Sequence, residues 1–314
     1  MKLIFMGTPA LAVPCLDALR EDHEIALVVT QPDKPSGRGN KLMPSAVKAR
    51  ALELGLPVAQ PEKARHEEFL RQLREVKPEG IAVVAYGQIL PNAILEMPLE
   101  FHTHGGCVNL HYSLLPRWRG AAPVQHALLS GDEVTGVTCQ HMAQKLDAGE
   151  IILQREVPIL SDETTGDLWQ RLTPIGADAL REAMQLLEAG KAPRLPQDEA
   201  QVTYASMLTK DDGRLNWQDS AQNLHNRARA VNPWPGAWCE WNGEMLKIWR
   251  TQVLEGNYSG AVPGAILEVE DEAMLVQTGE GILKILEVQA PGKPRMNPAA
   301  WSRGHGAGSG KKFD

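Results

Sequence analysis

The sequence is poor in several features that mark particular protein classes. Aromatic residues make up 5% of the 314 residues, with 4 phenylalanines and 4 tyrosines. No apolar run approaches the roughly 18 residues that a membrane-spanning helix needs. The first seven residues carry one basic side chain and an apolar run too short for a signal peptide. We therefore expect a soluble, cytoplasmic protein that does not attach to a membrane.

Cysteine is also scarce, and its spacing argues against cross-links. The four cysteines form no CxxC pair and lie in apolar contexts, at Cys15, Cys107, Cys139 and Cys239. This pattern favours reduced, partly buried thiols over disulfides or a zinc site. The tempting stretch HTHGGC (102–107) is a single compact cluster without a distant partner, so we expect a surface loop there and no metal.

Basic residues are outnumbered, since 32 Lys and Arg face 39 Asp and Glu, which gives a formal net charge of -7. This balance excludes a generally basic nucleic-acid binder but allows a local basic patch. A dinucleotide-binding loop is also missing. The first predicted strand is followed by MGTP (6–9), with one glycine, instead of GxGxxG.

The first half alternates apolar runs with helical patterns. The predicted strands cover 2–7, 24–31, 80–87 and 105–111, and the predicted helices cover 11–20, 44–55 and about 166–189. Continuous apolar strands separated by helices indicate a mostly parallel sheet covered on both faces. The runs 135–142 and 150–159 are close together, so they predict a hairpin added to this sheet.

The second half has a different texture. The stretch 188–204 is proline-rich, polar and without periodicity, which is typical of a linker. Beyond residue 210 lie six of the eight tryptophans and several short apolar runs separated by glycine turns. These runs predict a small antiparallel barrel of about five strands. We expect a catalytic domain at 1–189, a linker at 190–208 and the barrel domain at 209–314.

One polar constellation suits chemistry. Asn109 and His111 are two residues apart at the end of a predicted strand, so they point to the same side. Ligands of open α/β sheets bind at this end of the strands. Asp147 lies in a tight loop between the two strands of the predicted hairpin and is the carboxylate best placed to reach them. An amide, an imidazole and a carboxylate suit acyl transfer without a covalent nucleophile.

Two other interpretations of these residues stay open from the pattern alone. Asn109 fits a turn cap equally well, with His111 as a buried, hydrogen-bonded side chain. Ser113 is a further candidate nucleophile, although it lacks the flanking glycines of GxSxG.

The surrounding sequence resembles a known family. VNLHYSLLPRWRGAAPVQHALLSGD followed by LDAGEIILQ is similar to the signature of the folate-dependent formyltransferases. MGTPALAVPCLDAL, TQPDKPSGRGNKLMPSAVKARALELGLPV and VVAYGQILP resemble, more narrowly, the branch that acts on methionyl-tRNA. The similarity continues through VTYASMLTKDDGRLNW (202–217) and RAVNPWPGAW (229–238) to QAPGKPRM (289–296), so it covers nearly the whole chain.

The resemblance implies a reaction, a fold and partners. The reaction is transfer of a formyl group from 10-formyltetrahydrofolate, a co-substrate, to the amino group of methionine on initiator Met-tRNA, without a metal. The fold is a Rossmann-like, mostly parallel sheet domain followed by an OB-like antiparallel β-barrel. The partners are tRNA and folate, and we expect a monomer.

The resemblance also assigns roles to residues. Asn109, His111 and Asp147 match the catalytic positions, and the folate-binding stretch matches Ser113, Leu114, Leu115 and Pro116. The basic loop 31–45 matches one inserted against the tRNA acceptor end. The candidate tRNA contacts are Arg38, Lys41, Lys191, Arg194, Lys210, Lys293 and Arg295. The tryptophan-rich segment 234–249 fits base stacking or, as we prefer, the barrel core.

Some positions depart from the family pattern, and other activities compete. The departures are Ala10, Leu11, Tyr112, Lys145 and Met207. The competing activities are formyl transfer to an amino sugar nucleotide or to glycinamide ribonucleotide, hydrolysis of the formyl folate, and tRNA binding without catalysis. The loop 31–45 favours a polynucleotide substrate over a small one.

Overall fold

The computed structural model describes residues 1–36, 41–256 and 260–314. Up to Glu188 the elements are, in chain order, β1 (Lys2–Gly7), α1 (Val13–Leu19), β2 (Glu24–Val29), β3 (Lys34–Ser36), β4 (Lys41–Met43), α2 (Ala46–Glu53), β5 (Val58–Ala59), α3 (Glu67–Val76), β6 (Gly80–Val84), α4 (Asn92–Leu95), β7 (Gly106–His111), β8 (Arg119–Gly120), α5 (Pro123–Ser130), β9 (Val134–His141), β10 (Ile151–Pro158) and α6 (Thr165–Glu188). They are followed by β11 (Tyr204–Ala205), α7 (Ala221–Ala230), β12 (Ala237–Trp241), β13 (Glu244–Leu254), β14 (Ile266–Val269), β15 (Met274–Gln277), β16 (Ile282–Gln289) and α8 (Pro298–His305).

The chain divides into two compact units. The first contains residues 1–120, 135–157 and 169–205, and the second contains 121–134, 158–168 and 206–314. Each unit has its own apolar core. The boundaries that we expected from the sequence (1–189, 190–208 and 209–314) stay a proposal.

The first unit is built on a sheet of seven described strands in the order β10-β9-β7-β6-β1-β2-β5. Strands β7, β6, β1, β2 and β5 run parallel to one another, and β9 pairs antiparallel with β7. All five residues of β6 are buried, as a strand covered on both faces requires. The predicted Rossmann-like sheet is therefore confirmed, and so is the added pair of strands.

Helix α2 begins where the sequence predicted. The Ser45 side chain accepts a hydrogen bond from the backbone N–H of Lys48 at 3.1 Å and so caps the first turn. Helix α3 was not predicted, although its pattern is clear in retrospect. Phe69, Leu70 and Leu73 form its buried face, and Glu67 with Glu68 carries negative charge in its first turn.

The second unit contains an antiparallel sheet of five described strands in the order β12-β13-β16-β15-β14. Strands β12 and β13 form a tight hairpin because Asn242 and Gly243 both adopt positive φ, at 51° and 77°. Trp217, Trp301 and Phe313 pack in its core, where the Trp217 and Phe313 rings stack at 5.3 Å. The predicted antiparallel β domain is confirmed.

Residues 158–168 belong to the second unit because buried side chains of α7 bind their backbone. Arg229 donates to the carbonyl of Leu160 at 3.1 Å, and His225 Nε2 donates to the carbonyl of Ser161 at 3.2 Å. The Thr165 hydroxyl in turn donates to the carbonyl of Ala230 at 2.7 Å. Residues 158–168 are thus built into the second unit, although the longest part of that unit begins only at Ser206, 38 residues after the segment ends.

The four cysteines are free and buried. Across the described ranges, no helix is both long enough and apolar enough to span a bilayer.

Candidate active site

Strand β7 carries Asn109 and His111 to the carboxyl edge of the sheet. In the β7–β9 ladder Asn109 lies opposite Gln140, and His111 lies opposite Thr138. The spacing of two residues places both side chains of β7 on one face. Asn109 is partly exposed and His111 is 6% exposed. The amide is therefore accessible, and the imidazole is largely shielded from water.

The orientation of the His111 ring is set by a backbone carbonyl. The ring atom Nε2 lies 2.8 Å from the carbonyl oxygen of Trp118. A carbonyl only accepts hydrogen bonds, so Nε2 carries the hydrogen, and Nδ1 is the nitrogen that faces the carboxylate. Trp118 itself has a left-handed backbone with φ at 61°. Such a conformation costs about 1–2 kcal/mol and persists only where neighbouring contacts hold it.

Asp147 is the carboxylate that faces Nδ1. Its Oδ2 atom lies 3.7 Å from His111 Nδ1 and accepts a hydrogen bond from the backbone N–H of Gly120 at 2.9 Å. Its Oδ1 atom accepts from the Gln140 amide at 3.3 Å. The Asp147 side chain is 12% exposed and its φ is 47°. The structure therefore brings Asn109, His111 and Asp147 to one edge of the sheet, as the sequence predicted.

The loop of Asp147 closes tightly on β9. A Cβ atom at Gly149 would overlap the carbonyl of His141, so only glycine fits there. The backbone N–H of Gly149 also donates to Gln140 Oε1 at 3.1 Å. One glutamine thus holds both Asp147 and Gly149 through the two ends of its amide.

Sequence reasoning missed Gln140 and Gln197, which both contact this loop. Gln140 was detectable, since the alternation of β9 places it on the same face as Thr138. Gln197 was not detectable, because it lies in the stretch that resembled a linker. Its Nε2 atom donates to the carbonyls of Asp147 and Gly149, both at 2.8 Å.

The stretch Ser113 to Pro116 is fixed beside β9. Leu115 donates its backbone N–H to Thr138 Oγ1 at 3.1 Å and accepts from the Gln154 amide at 2.9 Å. Leu114 and Pro116 are partly exposed. Ser113 is fully buried, and its hydroxyl donates to the carbonyl of Arg117 at 2.6 Å. This engagement argues against Ser113 as a nucleophile.

Two departures from the family pattern have structural roles. Tyr112 is 6% exposed and faces away from His111, and its hydroxyl donates to the carbonyl of Leu11 at 3.4 Å. Burial raises the pKa of Tyr112 far above its ordinary value. Lys145 lies on the surface and pairs with Glu199 at 2.9 Å. Hydrogen bonds from buried Arg119 and then Lys145 lower the pKa of Glu199 to about 2.

The candidate tRNA contacts are spread over both units. Arg38 lies outside the described residues, as does the side chain of Lys41. Lys191, Lys210 and Lys293 are exposed. Arg194 is paired with Glu150 at 2.7 Å.

Arg295 lies over the Trp249 ring at 3.9 Å. Of the tryptophan-rich segment, Trp241 and Trp249 are buried, and Trp234 is exposed. In the part of the chain that the structure describes, no group of three or more His, Cys, Asp and Glu is arranged to hold a metal.

Sequence comparison finds two family matches. The family described as Formyl transferase matches residues 1–184, and the one described as Formyl transferase, C-terminal domain, matches residues 207–306. A protein of Moorella thermoacetica named Methionyl-tRNA formyltransferase is 48% identical over 306 residues, which are 97% of this chain and 96% of that protein. A protein of Clostridioides difficile with the same name is 44% identical, and the match covers 97% of each chain.

Solved structures show the same fold at low identity. An N-formyltransferase from Helicobacter canadensis, in complex with folinic acid and dTDP-3-aminofucose, superposes with a TM-score of 0.66 at 17% identity, over 92% of this chain and 100% of that one. HypX from Aquifex aeolicus, in complex with tetrahydrofolic acid, gives a TM-score of 0.61 at 17% identity, over 96% of this chain and 47% of that one.

Proposed function

The chain belongs to the formyltransferase family, and from that premise we propose that it transfers the formyl group of 10-formyltetrahydrofolate to the amino group of methionine on initiator Met-tRNA. Two curated relatives at 44% and 48% identity, aligned over nearly their full length, carry the name of that activity. The single observation that carries the proposal is the arrangement around His111, which lies between a carbonyl acceptor and a carboxylate.

Asn109 stabilises the negative charge that develops on the formyl oxygen when the amine attacks. Its amide is a hydrogen-bond donor at the edge of the sheet, and it is partly exposed, so a substrate oxygen can reach it. Strand β7 holds its backbone between β6 and β9. A donor held in this way needs little rearrangement during the reaction.

His111 moves a proton through Nδ1. The attacking amine must lose a proton, and Nδ1 is the ring nitrogen not occupied by the Trp118 carbonyl. Asp147 then stabilises the imidazolium that results, from 3.7 Å. The imidazolium then returns this proton to the folate nitrogen as the bond between that nitrogen and the formyl carbon breaks, so tetrahydrofolate leaves as the neutral amine and the carbonyl of the formyl group re-forms on the methionine nitrogen. This assignment uses His111 and Asp147 as one unit.

The formyl donor fits along Ser113 to Pro116. These residues follow β7 directly, so a folate lying on them places its formyl group near Asn109 and His111. Hydrogen bonds to Thr138 and Gln154 hold the backbone of Leu115 in place. The exposed faces of Leu114 and Pro116 offer apolar surface to an aromatic ring.

The tRNA binds through local cations on an acidic protein. We assign its contacts to Arg38 and Lys41 in the loop 31–45, to Lys191 and Arg194, and to the second unit through Lys210, Lys293 and Arg295. Contacts of this kind are mostly to phosphates, so binding weakens steeply as salt rises. The protein acts as a monomer in the cytoplasm, where aminoacylated tRNA is present.

One assay tests the proposal. The protein is incubated with 10-formyltetrahydrofolate and Met-tRNA, and formyl-Met-tRNA is measured. A parallel reaction contains an amino sugar nucleotide as acceptor, and a third contains only water. Product on the tRNA supports the proposal. Turnover on the sugar nucleotide alone, or release of formate alone, overturns it in favour of a competing activity.

Arg38→Ala tests the predicted tRNA loop. We expect KM for Met-tRNA to rise by roughly tenfold, as loss of a phosphate contact of 1–2 kcal/mol implies, with KM for the folate unchanged. The dependence of KM on salt should also become shallower. Arg20→Ala, an exposed arginine after α1, is the control. An equal effect on both substrates would contradict the role of the loop.

A further inference from the structure

Residues 195–205, which we call the 195–205 segment, belong to the first unit and pair with its strands at both ends. Leu195 forms an isolated bridge with Ile151 at the start of β10. At the other end of the segment, β11 pairs in parallel with β8. A stretch that resembles a linker in sequence thus lies against the strands and loops that carry the catalytic groups.

The first contact point of the segment is Gln197. Its Nε2 atom donates to the carbonyls of Asp147 and Gly149 at 2.8 Å. Its Oε1 atom accepts from Arg119 Nε at 3.0 Å and from Nη2 at 2.8 Å. The Arg119 side chain is fully buried. Because two nitrogens of this buried guanidinium bind Gln197 Oε1, the amide is oriented with Nε2 toward the loop of Asp147.

The second contact point is Thr203. Its hydroxyl oxygen accepts a hydrogen bond from the backbone N–H of Trp118 at 2.9 Å, and its carbonyl accepts from the N–H of Arg119 at 2.9 Å. Trp118 is the residue with the left-handed backbone whose carbonyl receives His111 Nε2. Thr203 therefore holds a strained peptide in the orientation that fixes the His111 ring.

We propose that the 195–205 segment is a positioning element for formyl transfer. Gln197 sets Asp147 on the Nδ1 side of His111, and Thr203 sets Trp118 on the Nε2 side. Neither residue is proposed to touch a substrate, and both act through the partners of His111. The inference rests on the proposed function. Since a displacement of about 1 Å at a catalytic group lowers the rate by up to about 10²-fold, these supports matter for kcat.

The sharpest test is a pair of variants at Thr203. Thr203→Val keeps the shape of the side chain but accepts no hydrogen bond, whereas Thr203→Ser keeps the hydroxyl. We expect kcat of Thr203→Val to fall by between about tenfold and 10²-fold, with KM for both substrates within about threefold of wild type. Thr203→Ser should restore kcat to near the wild-type value.

Gln197→Met is the matching variant at the other contact point, since methionine has a similar length and no amide. Its control is Gln201→Met in the same segment, where the exposed amide donates to Asp198 at 2.9 Å. We expect a loss of kcat only in Gln197→Met. Thermal unfolding of each variant shows whether it is folded, and if Gln197→Met is not, the Thr203 pair decides.

The outcomes separate the two proposals. If wild type formylates Met-tRNA and Thr203→Val keeps its kcat, the positioning role is overturned. A rise in KM with unchanged kcat also overturns it, because that split indicates substrate binding. If the wild-type protein gives no formyl-Met-tRNA, the proposed function fails first, and the inference fails with it.

Discussion

At the scale of single residues, His111 is the group to which we assign the proton transfer. One ring nitrogen of His111 is engaged by a backbone carbonyl, and the other faces a carboxylate. A side chain with a single polar end could not replace His111, because it could not make both interactions. In our proposal the surrounding residues supply geometry and charge, and His111 accepts the proton of the amine and returns it to the leaving nitrogen.

His111→Ala should therefore remove transfer and spare binding. We expect kcat to fall by about 10²-fold or more, the usual contribution of a general base, and the affinity for tetrahydrofolate to change by less than about threefold. Rapid-quench kinetics and equilibrium titration measure the two quantities. His104→Ala, at an exposed position, serves as the control. Activity of His111→Ala within a few-fold of wild type would show that the assignment is wrong.

The sequence predicted the side chains of this site better than it predicted the residues and backbone groups that hold them in position. Strand geometry and the predicted hairpin made Asn109, His111 and Asp147 candidates, and the family resemblance selected them over a purely structural interpretation. The acceptor of His111 Nε2 is a main-chain carbonyl at Trp118, and no residue type marks such a contact in advance. Tyr112 was open in the sequence, and the structure assigns it to the core.

At the scale of elements, the loop between β9 and β10 sets the position of the carboxylate. Its geometry depends on a close approach of two backbones, at Gly149 and His141. Helices and strands could be predicted from apolar periodicity, as for β1, β2 and α2. The path of the proline-rich segment could not, because its contacts are hydrogen bonds to distant loops and leave no periodic signal.

Gly149→Ala tests how strictly the loop is held. The added methyl group must push the loop away from β9, which costs about 1–3 kcal/mol of stability by overpacking and displaces Asp147. We expect a lower unfolding midpoint in urea and a kcat reduced by at least about tenfold.

Gly304→Ala in α8 is the matched control, since a Cβ there meets nothing within 4 Å. It should be neutral or stabilising by about 0.5–1 kcal/mol, because alanine loses less entropy in a helix. If Gly149→Ala behaved like this control, the close approach would not be required.

At the scale of the whole molecule, we expect stability to vary with pH because histidines are buried in both units. Burial lowers the pKa of His23, His141 and His225 below the ordinary value. The unfolded chain therefore binds protons at a higher pH than the folded chain does. Keeping these histidines neutral in the folded chain costs no free energy of unfolding above the ordinary histidine pKa of about 6.5. As the pH falls below that value, the unfolded chain takes up protons that the folded chain does not, and the free energy of unfolding decreases.

The melting temperature should accordingly fall between pH 7.5 and pH 5. His225→Gln, which keeps a donor and an acceptor without titrating, should make this fall shallower. Differential scanning calorimetry at several pH values provides the measurement. His66→Gln, at an exposed helix start, should leave the slope unchanged. A slope that is the same in all three proteins would exclude His225 as a contributor.

The division of the chain into units has a consequence for folding during synthesis. The chain passes from one unit to the other after residues 120, 134, 157, 168 and 205. A ribosome has delivered all of the first unit once residue 205 has emerged, so that unit can fold early. Helix α5 and residues 158–168 must then wait for α7 and the carboxyl-terminal sheet. We expect nascent chains halted shortly after residue 205 to expose the apolar side chains of α5 and of residues 158–168 and to bind a chaperone. Chains released at full length should not bind it.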